Sequence, residues 1–216
     1  LIDNEGNEHE FFAFKDAPAS TTNGPFIPAG PMGRLCDRLT VYTAMPVCEG
    51  FGSTSMTFRK KTAALTAGNK NIPLSVKDGK LVLQTPKYTV EDFLSLTDMS
   101  DVGDEYDYRP GEAPHVCCNG AWHEVSRCVR GKIYSAEFET SVVVPAAHNS
   151  EEMAENKVVI QIVGALDDSG FAARICIDNK ACDHRLQLRI KTPFPFKEYC
   201  RETQFYHAIT PVERMN

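Results

Sequence analysis

The chain has 216 residues, enough for one large β domain or two small ones with a buried core and no need of a disulfide framework. Its 29 Asp and Glu outnumber its 23 Lys and Arg, giving a net charge of -6, and the basic residues are scattered rather than massed in a stripe, which argues against nucleic acid as a partner. The longest apolar stretches, such as Val142 to Ala147, fall far short of the roughly 20 residues of a membrane-spanning helix, and no signal peptide is legible.

In chain order, Ile2-Asp3-Asn4-Glu5-Gly6-Asn7 is patterned as the turn of a hairpin already in progress. With no initiator Met, the chain reads as beginning inside a larger protein. Residues 15–33, rich in Pro, Gly, Ser and Thr, read as a loop or a partly ordered stretch. Leu39, Val41 and Thr43 alternate with Thr40 and Tyr42, and after Pro46 and Gly50-Phe51-Gly52 a second strand is expected over Ser53 to Phe58. Thr62 to Lys70 is weakly patterned and marks a boundary between two β units. Leu74-Ser75-Val76 and Leu81-Val82-Leu83 flank Lys77-Asp78-Gly79-Lys80, and Asp-Gly suits the positive φ angles of a two-residue hairpin turn. Thr89 to Leu96 reads as one helical turn, with Thr89 as cap and Asp92 at the third position.

Beyond it, Tyr134, Ala136, Phe138, Thr140, Val142 and Val144 share one face of a period-two run against Ser135, Glu137, Glu139 and Ser141, the pattern of a strand with one buried face. Val158 to Val163, Phe171 to Ile177 and Leu186 to Ile190 continue as strands, and Asp167-Asp168-Ser169-Gly170 joins two of them as a hairpin. Nothing of βαβ character separates any pair. The fold class expected is all-β, an antiparallel β-sandwich.

The eight cysteines (Cys36, Cys48, Cys117, Cys118, Cys128, Cys176, Cys182 and Cys200) read as free thiols of a reducing, cytoplasmic compartment: Cys176 lies inside an alternating strand, Cys117 and Cys118 are adjacent, and there is no Asn-x-Ser/Thr sequon. There is also no Cys-x-x-Cys and no His-rich cluster at zinc spacing, so no metal ligand is assigned.

Asp98 to Asp107 packs five carboxylates into ten positions: Asp98, Asp101, Asp104, Glu105 and Asp107. Such density repels itself unless a cation, arginines or solvent compensates. The EF-hand pattern fails, because Ser100 stands at the third position and Arg109 at the twelfth. The run reads as a charged turn with Arg109 and Arg185 as internal partners. Its carboxylates are too close in the chain to be assumed to flank a glycosidic bond, so no catalytic residue is assigned. On an extended segment Tyr106 and Tyr108 would face one side and Asp107 the other, and a tyrosine suits either sugar binding or packing. Asp183-His184-Arg185 has no nucleophile turn to make it a triad, and reads as Asp183 or Arg185 in a buried salt bridge, with His184 hydrogen-bonded to backbone. Trp122, the only tryptophan, reads as a core anchor rather than a sugar platform, and His115 and His123 carry no assignment.

Three runs in order, Asp78-Gly79-Lys80-Leu81-Val82-Leu83, Gly103-Asp104-Glu105-Tyr106-Asp107-Tyr108-Arg109-Pro110, and Asp178-Asn179 with Asp183-His184-Arg185-Leu186, resemble the β half of glycoside hydrolase family 38, the zinc-dependent α-mannosidases. Met45-Pro46 and Gly50-Phe51 stand where that family tends to have Leu-Pro and Gly-Tyr, and Gln187 replaces its usual Arg. The resemblance implies a small β domain over 1–68 and the first part of a β super-sandwich over 69–216. It also implies a parent that is a retaining enzyme acting on α-mannosides. The family's zinc, nucleophile and acid/base carboxylate belong to an N-terminal domain whose His-x-Asp motif is absent here, so the chain alone is expected to be inactive. The resemblance assigns Tyr106 to the mannose pocket, with Asp104 and Asp107 as substrate-side neighbours that shape the loop. Two other readings stand beside it: a free-standing carbohydrate-binding or lectin-like module, and a domain for homo-oligomer assembly.

Overall fold

A computed structural model describes residues 1–15, 19–20, 35–36, 39–44, 50, 53, 55–59, 72–104, 106–111, 119–166, 170–203 and 206–211. Among them there is no helix, and the strands pair antiparallel in several sheets. The strands are β1 (Ile2–Asp3), β2 (Phe11–Lys15), β3 (Ala19–Ser20), β4 (Leu35–Cys36), β5 (Leu39–Thr43), β6 (Met56–Thr57), β7 (Leu74–Lys77), β8 (Lys80–Gln84) and β9 (Thr89–Val90). They continue as β10 (Leu94–Ser100), β11 (His123–Arg130), β12 (Ile133–Pro145), β13 (Met153–Ala165), β14 (Phe171–Asp178), β15 (His184–Ile190), β16 (Glu198–Thr203) and β17 (Tyr206–Pro211). The all-β, antiparallel class read from the alternation is the class observed.

The chain divides into two compact units that interleave along the sequence: Leu1–Ile72 with His123–Thr140 and Lys157–Asp178, and Pro73–Trp122 with Ser141–Asn156 and Asn179–Asn216. The first unit contains β11, β12 as far as Thr140, β13 from Lys157, and β14, which belong to the sheet β11-β12-β13-β14. Its core follows from the period-two pattern. Tyr134, Ala136, Phe138 and Thr140 are buried on one side of β12, while Ser135, Glu137 and Glu139 on the other are half-buried. On β13, Val158, Ile160 and Ile162 are buried in the same alternation. Phe12 of β2 packs with Ile133 and Val163, joined by Phe14, Tyr42 and Cys128. Arg130 lies over the Phe12 ring at 4.7 Å and donates to the Phe11 carbonyl at 3.0 Å, so one cation serves both a π face and a backbone acceptor. The β11–β12 register shifts between Glu124 and Ser126, a bulge that offsets the edge strand.

In the second unit β7, β8 and β9 form one sheet, β10 pairs with β15, and β16 pairs with β17. Asp78 (φ 50°) and Gly79 (φ 73°) make the expected hairpin turn, both in the left-handed region that such a two-residue turn requires. Trp122 is 1% exposed and its backbone N–H donates to the Gly79 carbonyl, so it anchors the core under that hairpin.

Two expectations need correction. Thr89 to Leu96 is not a helical turn: Thr89 pairs with Gln84 and Val90 with Leu83, while Leu94 already pairs with Ile190. The intervening Asp92 has a φ of 54°, which a helix forbids. Val90, Leu94 and Leu96 are all buried, and burial by two strands outweighs the weak capping signal. The 15–33 stretch is also not loop throughout, because Ala19–Ser20 pairs with Leu35–Cys36. The boundary expected over Thr62 to Lys70, the Met45-Pro46 pair and the Asp167 to Ser169 part of a hairpin lie outside the described residues. Cys128, Cys176, Cys182 and Cys200 are free thiols, Cys128 half-buried and the rest exposed. Among the described residues no helix is long and apolar enough to cross a membrane.

The N-terminal turn is closed by Asp3, whose carboxylate accepts from the Glu5 and Asn7 backbone N–H groups and from the Asn7 amide, with His9 Nε2 at 2.8 Å. His9 first, then Asn7 and the backbone donors, hold the Asp3 carboxyl well below its ordinary value of 3.8. A depressed carboxyl value contributes stability in full above 3.8 and loses it as pH falls toward the lower folded value. Urea denaturation of the protein and of Asp3→Asn should therefore differ by a constant amount above that pH. Below it the gap should shrink, and a gap that widens on acidification would contradict the turn.

Candidate functional site

Two of the three sequence runs that carry the family resemblance, Gly103 to Pro110 and Asp178 to Leu186, are far apart in the chain and neighbours in space. β10 and β15 pair so that Asp98 lies opposite Leu186, Met99 opposite Arg185 and Ser100 opposite His184. Strand alternation then assigns two faces. Leu94, Leu96, Asp98 and Ser100 are buried on the inner one. Met99 and Arg185 occupy the outer one.

On the inner face His184 Nδ1 is 2.6 Å from Asp98 Oδ1, and His184 Nε2 is 2.9 Å from Asn179 Oδ1. The orientation of the Asn179 amide follows from Ala181, whose carbonyl accepts from Nδ2 and whose N–H donates to Oδ1. Both ring nitrogens thus have a side-chain oxygen within hydrogen-bond distance, which fixes the ring at both ends. The side chains are 8% and 1% exposed, so the pair is a buried one. It differs from the expectation in its partner: His184 bonds to side chains, not to backbone, and Asp183 is not part of the bridge. Asp183 instead takes a left-handed φ of 54°, accepts from His148 N–H through Oδ2, and offers its carbonyl to Asp101 N–H. The turn it ends is fixed at two further points, Lys180 N–H to the fully buried Asn156 and Cys182 N–H to the Ala146 carbonyl.

The acidic run is correspondingly shorter than the composition implied. Asp98, Met99 and Ser100 belong to β10, and the loop begins at Asp101. Asp101 Oδ1 accepts from Gly103 N–H at 3.0 Å and Arg109 N–H at 3.1 Å, while Val102 N–H donates to the Arg109 carbonyl. Asp104 Oδ1 accepts from Tyr106 and Asp107 N–H, both at 2.9 Å. These backbone donors, Tyr106 first, lower the Asp104 carboxyl below its ordinary value. Backbone N–H groups therefore hold Asp101 and Asp104, where internal arginine partners were expected.

Arg185 does take part, but through a ring: its guanidinium carbon sits 4.7 Å from the centre of Tyr108. A Cβ on Gly103 would fall 1.7 Å from the Asp107 carbonyl oxygen, so the loop closes only with glycine there. Because Asp104 bends the segment, it is not extended, and the alternation argument for Tyr106, Asp107 and Tyr108 does not apply. Tyr108 is stacked and Tyr106 is 85% exposed.

A cavity of about 10 Å³ beside the buried pair, lined in part by Ser100, His148 and Cys182, has room for about one water molecule and none for a sugar ring. Among the described residues no group of three or more His, Cys, Asp or Glu is arranged to hold a metal ion. His123 is exposed on β11, and His115 and Glu105 lie outside the described residues. Sequence reasoning missed Asn156 and the role of Asp98. The signal was a polar residue in the inward phase of an otherwise apolar alternation.

No protein-family model and no curated protein matches the sequence. Its structure is similar to that of a protein in glycosyl hydrolase family 38 from Enterococcus faecalis, with a TM-score of 0.57, 12% identity, and 97% of this chain covered against 29% of that chain. It is similar as well to an alpha-mannosidase from Enterococcus faecalis V583, at a TM-score of 0.57 and 12% identity, covering 98% and 28%. At that identity the likeness establishes the fold, a β-sandwich architecture. The chain spans under a third of the length of either neighbour.

Removing one partner of a buried ion pair strands the other, at about 3–5 kcal/mol. Asp98→Ala should lower the unfolding free energy, measured by urea denaturation, by that amount. Glu124→Ala, which breaks a half-exposed i,i+3 pair with Arg127, should cost at most about 1 kcal/mol. Equal effects would show that the Asp98–His184 contact is not the brace described.

Proposed function

We propose that this chain is the β-sandwich portion of a retaining, zinc-dependent α-mannosidase, with residues 1–68 as the small β domain and 69–216 as the first part of the super-sandwich. The observation that carries the reading is a joint one. The fold matches the two Enterococcus faecalis proteins over 97% and 98% of this chain, and the Gly103 to Pro110 and Asp178 to Leu186 runs that resemble the family meet where Arg185 lies over the Tyr108 ring.

On this reading the chain scaffolds a catalytic domain and lends it the loop from Asp101 to Pro110. Tyr106 meets the sugar, its ring packing on the apolar face and its hydroxyl hydrogen-bonding to a mannose hydroxyl. Asp104 and Asp107 shape the loop beneath it. The described residues hold no group that fits zinc, so the metal and the chemistry it supplies, Lewis-acid polarisation of bound oxygen, belong to other polypeptide, and no catalytic step is assigned here. A cytoplasmic location goes with the free thiols and remains part of the proposal.

The exposure of Tyr106 also favours a second reading, a free-standing carbohydrate-binding module, in which the same tyrosine is the platform. Glycan-array binding by the 216-residue chain alone, at micromolar strength, would favour that reading. The mannosidase reading expects none.

The test is hydrolysis of an aryl α-mannoside with added zinc, comparing the 216-residue chain, the full-length polypeptide that carries it, and its Tyr106→Ala variant. The chain alone should be inert and the full-length protein active. Tyr106→Ala should lower kcat/KM by about 10- to 100-fold, the loss of one or two good contacts to the sugar. Full activity of the variant would remove Tyr106 from the pocket, and an inactive full-length protein would sink the reading.

A further inference from the structure

We propose that Arg185 is a positioning residue for Tyr106: by stacking on Tyr108 it fastens the 101–110 loop to β15 and thereby sets where Tyr106 points. The proposal rests on the reading of that loop as part of a mannoside pocket.

The hydrogen bonds accepted by Asp101 and Asp104 give the loop its shape, but they lie within it and would move with it. What ties the loop to the strand pair is different. At its base Asp101 N–H donates to the Asp183 carbonyl and Gly111 N–H to the Ser100 carbonyl. Higher up, Tyr108 lies against the cross-strand partners Met99 and Arg185: its hydroxyl is 4.0 Å from the Met99 sulfur and its ring carries the Arg185 guanidinium at 4.7 Å. Tyr108 lies between Tyr106 and the base, so a ring fixed there limits the swing of the tip two residues away.

The contact is one of shape as well as charge. Guanidinium is planar and weakly hydrated and stacks on a phenol ring, whereas an ammonium offers a point charge. If Arg185 merely balanced the loop's carboxylates, Lys would replace it. If it clamps Tyr108, Lys would do so only in part.

The experiment has two arms. In the 216-residue chain, backbone 15N relaxation at the Tyr106 amide reads the tip, with order parameters expected to fall from about 0.85 toward 0.6 in Arg185→Met and Tyr108→Leu. Tyr108→Phe, which keeps the ring, should rescue most of that loss, and Arg185→Lys only part of it. In the full-length polypeptide, Arg185→Met and Tyr108→Leu should each raise KM for an aryl α-mannoside about two- to fivefold, the size of an exposed cation–π contact, with kcat held. The double variant should be no worse than either single one, since both remove the same contact. Unchanged order at Tyr106 in Arg185→Met, full rescue by Lys, or additive KM effects would each overturn the proposal. Tyr106→Ala separates the two readings: if it leaves KM unchanged, the pocket assignment fails, while the relaxation arm still decides whether Arg185 positions the tip.

Discussion

The buried contact between Asp98 and His184 is the constraint on which the rest of the candidate site depends. A carboxylate 1% exposed in the middle of a strand is tolerable only with a partner that answers its charge. His184 supplies it from the diagonal position across the ladder, and Asn179 satisfies the second ring nitrogen. That chain of acceptors and donors fixes the β10–β15 register. A slip of one residue would turn Asp98 outward and put Met99 and Arg185 into the core. The register in turn sets which residue ends β10, where the loop from Asp101 begins, and that Arg185 lies on the outer face within reach of Tyr108.

The site therefore combines a rigid base with an exposed tip. The base is a strand pair with a satisfied polar core and a turn at Asn179 to Asp183 held by Asn156, Ala146 and His148. The tip is a loop in which Asp101 and Asp104 are occupied by its own backbone, and Tyr106 is its most exposed large hydrophobic side chain among the described residues. Such a division, with recognition on a loop and precision in the scaffold beneath it, is how β domains commonly present binding residues. In the proposed mannosidase, the chain's contribution to the sugar is one of placement.

Much of the fold was legible because burial on one face of a strand writes a period of two into the sequence. The Tyr134 to Val144 alternation and the Asp78-Gly79 turn are both found as read. The misses share a cause. Thr89 to Leu96 carries a capping pattern that only long-range pairing with Gln84 and Ile190 overrides, and a single sequence does not contain that pairing. The acidic run read as one loop because charge density obscured that Asp98 continues the inward phase of Leu94 and Leu96. The partner of His184, 86 residues away, and the Tyr108 ring under Arg185 are tertiary facts with no local signal.

The central claim, that this strand pair exists to hold a tyrosine at a sugar, is tested most directly by a crystal structure of the full-length polypeptide with a mannose-like inhibitor bound. The account predicts Tyr106 in contact with the sugar, its hydroxyl within hydrogen-bond distance, above an intact Asp98–His184 pair. A bound sugar that the 101–110 loop does not reach would contradict it.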